Sequence, residues 1–150
     1  MKKTFVFLAL LAVLGCEKES ATNSDYFIFG YAYGFCAGNC VTVFKLEGDN
    51  LYADDDASYQ TLGENQEIPF QSASLSAEKV NLAKALQAQI PANLYNETDG
   101  NVGCPDCRDQ GLYYIKIKMG NTVREWRIDP DSQEYKAFGE EIRETVDQLK

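Results

Sequence analysis

Histidine is missing from all 150 residues. Its absence removes the usual general base at neutral pH, the Ser-His and Cys-His nucleophile pairs, and the commonest metal ligand. Any catalysis would have to rest on carboxylates, lysines or thiols. Positive charge is scarce as well: 14 Lys+Arg stand against 23 Asp+Glu, a formal charge of −9. Nucleic acid and anionic lipid both repel such a chain, so no nucleic-acid partner is expected and the acidity reads first as solubility. Long apolar runs are also lacking. The stretch from Phe5 to Leu14 is uncharged and apolar, but a bilayer span needs roughly 20 such residues.

That stretch has another use. Lys2 and Lys3 precede it and Gly15-Cys16 end it, which is the charged n-region and short h-region of an export signal. The tetrapeptide Val13-Leu14-Gly15-Cys16 resembles the lipobox of bacterial lipoproteins, in which the cysteine receives a diacylglycerol and becomes the new first residue. The resemblance implies a signal peptide over residues 1–15, lipidation of Cys16, and a cell-envelope protein of the outer membrane, on its periplasmic or surface side. Several acyl chains on one cysteine, at about 0.8 kcal/mol per buried methylene, make a lasting membrane anchor. Residues 16–25 then read as a polar, flexible tether. Cys16-Glu17-Lys18-Glu19-Ser20 is similar to the acidic, lysine-containing tethers that send some lipoproteins to the cell surface. Loss of residues 1–15 removes Lys2 and Lys3, moving the formal charge from −9 to −11.

What remains, residues 26–150, suits one domain. Hydrophobic residues at 45% and aromatics at 12% exceed what disordered chains carry. Residues 26–35 read as a strand. Residues 41–47 and 51–53 form a hairpin about Gly48-Asp49-Asn50, and residues 68–70 are a further short strand. A helix follows, with Ser76 as its cap and Leu82, Ala83, Leu86 and Ile90 at helical spacing before Pro91. After a long connection over residues 92–111, residues 112–119 and 123–128 form a second hairpin about Gly120-Asn121. Tyr113, Ile115, Ile117, Trp126 and Ile128 take its core face, and Tyr114, Lys116, Lys118, Glu125 and Arg127 a wet one. A last helix begins near Asp129-Pro130-Asp131-Ser132 and carries Tyr135, Phe138, Ile142, Val146 and Leu149 in one stripe. Two hairpin-then-helix units predict an α+β fold, an antiparallel sheet with helices packed on one face.

Four cysteines lie beyond the anchor: Cys36 and Cys40 in one loop, Cys104 and Cys107 in another. An exported chain meets oxidising conditions, so disulfides are the leading account. Of the three possible connectivities, two local bridges are favoured, because Gly38-Asn39 and Pro105-Asp106 suit tight turns. The spacings also fit the two knuckles of a four-thiolate zinc site, and Cys-Pro-Asp-Cys resembles the motif of thiol-disulfide oxidoreductases. Those enzymes place the first cysteine at a helix amino end, whereas this motif leads into a strand. With Phe35-Cys36-Ala37-Gly38-Asn39-Cys40, Gly103-Cys104-Pro105-Asp106-Cys107 and Asp109-Gln110-Gly111, the chain resembles a group of small bacterial envelope lipoproteins, a likeness that implies no activity.

Strand alternation puts Phe27, Phe29, Tyr31, Tyr33 and Phe35 on one face and the small residues Gly30, Ala32 and Gly34 on the other. The small face would admit a helix closely. The aromatic row is either a buried layer, the preferred reading, or an exposed platform for a peptide, glycan or partner protein. Asp54-Asp55-Asp56 lacks the spacing of a calcium loop, and Glu140-Glu141 and Glu64 with Glu67 lack an apolar setting that would part their pKa values. No cofactor or metal is therefore expected. The expectation is a non-enzymatic, lipid-anchored envelope domain that binds or scaffolds a partner. The alternative is an envelope thiol-redox or zinc protein using Cys36, Cys40, Cys104 and Cys107.

Overall fold

The computed structural model describes residues 24–38, 40–63 and 66–150. The expected signal peptide and Cys16 therefore lie outside the described residues, as does most of the expected tether. Six strands form one sheet: β1 Tyr26–Ala32, β2 Val41–Glu47, β3 Asn50–Ala53, β4 Gly100–Val102, β5 Leu112–Met119 and β6 Thr122–Ile128, in the spatial order β3-β2-β1-β5-β6-β4. Helices α1, Ala77–Gln87, and α2, Lys136–Leu149, pack on one face. The α+β class expected from the sequence is thus the one the chain adopts. None of the helices among the described residues is long and apolar enough to cross a membrane.

The sheet is mixed rather than wholly antiparallel. β4, inside what reads as a connection, pairs in parallel with β6 through Gly100↔Trp126 and Val102↔Ile128. Three residues are too few for a periodic signal to emerge. Conversely, the strand expected at residues 68–70 reduces to one bridge, Asp54↔Phe70. β1 stops at Ala32, three residues early: the Tyr33 N–H still reaches the Cys40 carbonyl at 2.9 Å, in register with β2, but the Gly34 N–H turns away to the Asp106 carboxylate at 2.7 Å. α2 begins at Lys136, later than expected, since Asp129 and Asp131 are occupied in a preceding turn in which the Ser132 N–H reaches the Asp129 carbonyl at 3.0 Å.

The main core joins the helices to the sheet. Phe27, Phe29, Ile115, Trp126 and Ile142 are at most 1% exposed within it. β1 lies centrally, registered with both β2 and β5, so its aromatic row points into this layer, and Phe27 and Phe29 stack at 5.0 Å. The helices cover the aromatic side of β1 and not its small side, which corrects the expected packing. The larger rings supply more apolar area for a helix to cover, and the close approach comes instead from a glycine on the helix. A Cβ on Gly139 of α2 would strike the Tyr113 ring. That gain in contact offsets the roughly 1 kcal/mol that glycine costs inside a helix.

The opposite face is not wet along its whole length. Residues 54–63 and 66–70 lie over it and make a second core with the sheet from Ile28, Val43, Ala57, Leu62, Ile68 and Tyr114. Tyr114 is 0% exposed there. The Asp54 carboxylate braces this cover, accepting from the N–H groups of Val43 at 3.1 Å and Ala57 at 3.3 Å. Burial nevertheless pushes its pKa above the ordinary carboxylate value against those two bonds.

Candidate functional site

Because β1 and β6 end where β2 and β5 begin, the connections over residues 33–40 and 103–111 meet at one end of the sheet. Cys36 and Cys40 lie at disulfide distance with Cα atoms 5.8 Å apart, and Cys104 and Cys107 likewise at 5.6 Å. Both separations fall inside the range a bridge requires. The thiols therefore form two local pairs. Gly38 has φ +111° with open space around it, a backbone state that favours glycine.

Asp106 bolts the two loops together. Its carboxylate accepts from the Gly34 N–H at 2.7 Å and from the Gly111 N–H at 2.9 Å, while its own N–H reaches the Gly111 carbonyl at 2.9 Å. Tyr59, from the residues over the open face, closes the third side: burial, then the Asp106 carboxylate, pushes its hydroxyl pKa up. Asp129, just past β6, holds the second loop by accepting from the Cys104 N–H at 3.1 Å, and Gln110 donates to both the Cys104 carbonyl and Asp129. Burial works to raise the Asp129 pKa. The N–H bonds of Asp131 and Cys104, the Gln110 amide and the Arg108 charge outweigh it, and the carboxyl sits below its ordinary value.

Backbone strain collects at the same end. Asp56, Asp106 and Asp109 are the non-glycine residues with positive φ among those described. Asp106 and Asp109 belong to the second loop, and Asp56 lines a hollow of about 380 Å³ together with Gly38, Cys40 and Tyr59. Such conformations cost free energy and cluster where loops have been shaped for a purpose. Out of this frame stands Phe35, 87% exposed, the most exposed large apolar residue described.

The expected site residues therefore part company. The exposed-platform reading fails for Phe27 and Phe29, which are in the core; Tyr31 packs against that core, Tyr33 is half-buried, and only Phe35 faces solvent. The reason is that β1 ends at Ala32, so strand alternation governs the first three rings and not the last two. The four-thiolate zinc geometry is not assembled: the cysteines are paired in two separate loops, and no group of three potential ligands converges among the described residues. Beside the second pair, the Asp129 carboxylate accepts from the Cys104 N–H at 3.1 Å and Arg108 is tied to Asp131 at 2.9 Å. Sequence reasoning missed the parts played by Asp106 and Asp129, because a carboxylate that binds backbone across 72 or 25 residues leaves no local pattern.

Fold and site together describe an α+β domain with a disulfide-braced loop end. Compared with known proteins, the chain matches no family model, no curated protein and no solved structure.

Proposed function

We propose that this protein is a non-enzymatic, lipid-anchored binding domain of the bacterial cell envelope, held by lipid on Cys16 and engaging a partner protein, peptide or glycan through its disulfide-braced loops and Phe35. The observation that carries the reading is the placement of two short-range cysteine pairs in exposed loops. Closing so few residues contributes about 2 kcal/mol per pair, roughly half of what a bridge joining the two loops would give. It also removes loop freedom that would otherwise be lost on binding, so a preorganised loop binds more tightly. An exposed aromatic on such a loop is the residue type that anchors interfaces.

Chain direction supports the same reading. The tether enters the sheet at Tyr26, and the loops sit beyond the far end of β1 at Ala32. At 3.3 Å per residue the two ends are roughly 20 Å apart. A domain anchored at the first end presents the second away from the bilayer.

The test combines anchor and contact. In its own host, a Cys16→Ser form should remain unprocessed and no longer take up labelled acyl chains. A photo-crosslinker at position 37 should give a discrete adduct on intact cells that is lost in Phe35→Ala and in the Cys36→Ser/Cys40→Ser form. Unchanged processing and acylation of Cys16→Ser would overturn the anchor, and an adduct indifferent to Phe35 and to the bridge would overturn the loop site.

A further inference from the structure

A second site lies on the open face, at the opposite end of the sheet from the cysteine loops. Register places four residues in one row across four strands: Lys45 opposite Ile28, Ile28 opposite Lys116, and Lys116 opposite Glu125. The residues that lie over this face leave a cleft of about 840 Å³ beside the row, with Ile28, Ile68 and Phe70 as apolar lining, Lys45 and Lys116 as charged lining, and Tyr26 at the margin. The Lys45 and Lys118 ammonium groups stand over the Tyr26 ring, at 5.4 and 5.8 Å. In a chain with nine more negative than positive charges, this is a local gathering of cations.

The lysines are held without being used up. Lys45 pairs with Glu47 at 2.6 Å and Lys116 with Glu125 at 3.1 Å, but an ammonium has three N–H donors. The ammonium-bearing residues line the cleft and their two carboxylate partners do not; the carboxylate that does, Glu67, is on the exposed rim. Beneath, Glu125 is 9% and Tyr114 0% exposed, and after burial itself the facing Glu125 carboxylate is what pushes the Tyr114 hydroxyl pKa up.

We propose that this cleft binds a single-chain amphiphile with an anionic head, an alkyl carboxylate whose chain lies on Ile28, Ile68 and Phe70 while its head sits between Lys45 and Lys116. Across two strand spacings the lysine backbones are about 10 Å apart, a gap two lysine side chains can close on one carboxylate. A chain-like apolar body can lie along Ile28, Ile68 and Phe70, and charge complementarity with Lys45 and Lys116 selects the head. The inference goes beyond the loop-end reading and involves neither Phe35 nor the cysteines.

The test is calorimetric titration of the lipidated protein in phosphatidylcholine nanodiscs with octanoate, octan-1-ol and octyltrimethylammonium, empty nanodiscs being subtracted. Octanoate should bind saturably at one site, about ten-fold or more tighter than the alcohol or the cation, and weaken with salt. Lys45→Gln should lower affinity about three-fold or more. Because Lys116→Gln alone strands the buried Glu125, the paired variant Lys116→Gln/Glu125→Gln is used, with its melting temperature checked; it should lower octanoate affinity and leave octanol unchanged. Equal binding of octanol, indifference of octanoate to both variants, or no saturable octanoate binding would overturn the proposal. Each of those outcomes leaves Cys16 acylation and the Phe35 adduct untouched, so this site and the loop site fail separately.

Discussion

Replacing Cys36 and Cys40 by serine, and separately Cys104 and Cys107, removes constraints that span only 4 and 3 positions of sequence. A bridge acts mainly by restricting the unfolded chain, and its effect grows with the logarithm of the loop it closes. That relation gives about 2 kcal/mol for each local pair, against more than about 4 kcal/mol for a bridge joining the two loops, such as Cys36 to Cys107. For a domain of this size each kcal/mol corresponds to roughly 3–6 °C in melting temperature, so either double-serine variant should melt roughly 6–12 °C lower and still cooperatively. Urea unfolding followed by the fluorescence of Trp126, 0% exposed in the core, measures the loss directly. Hydrogen exchange should quicken over residues 34–38 or 104–108 while β1 and β5 stay protected, because the sheet ladder does not depend on either loop. A loss above about 4 kcal/mol from one pair would refute local connectivity, and unchanged exchange in the loops would refute their role as braces.

Two further outcomes separate core from surface and test the loop electrostatics. Phe29→Ala should cost about 3–5 kcal/mol, since it opens a cavity at the centre of the main core, whereas Phe35→Ala should stay within about 0.5 kcal/mol; equal costs in chemical denaturation would refute the placement of the aromatic row. Asp129 sits below its ordinary pKa, so the folded state binds its proton less readily than the unfolded state does. Its contribution is present above the ordinary value of 3.8 and lost as pH falls through the lower, folded one. Asp129→Asn should therefore flatten the acid limb of a stability profile below about pH 4 and speed exchange at Cys104, and an acid limb identical to the parent's would count against the carboxylate as the loop's anchor.

How much was legible in the sequence follows from the range of each interaction. The hairpin over β5 and β6 and the stripe on α2 were readable because alternation and helical spacing are set by neighbours within a few residues. Ser76 marked the start of α1, and the tight spacing within each cysteine pair pointed to local bridges. β4 was not readable, being three residues that extend only because β6 offers a free edge. Nor was the burial of Tyr114 and Glu125, whose alternation signals a solvated face. That face is covered by a distant segment carrying Ala57, Leu62 and Ile68, and no periodicity in β5 or β6 records the cover.

By itself the sequence determined the α+β class, the division of β5 and β6 into two faces and the loops in which thiols could meet, since all three depend on local backbone preference and spacing. Tertiary structure alone decided which side of β1 the helices cover and that Phe35 leaves the row of rings buried beside it. It alone also brought the Asp106 carboxylate to the Gly34 N–H and framed Lys45 and Lys116 around one cleft. Those outcomes rest on contacts between segments far apart in the chain, whose free energy depends on the packing of the whole domain and not on any one stretch of it.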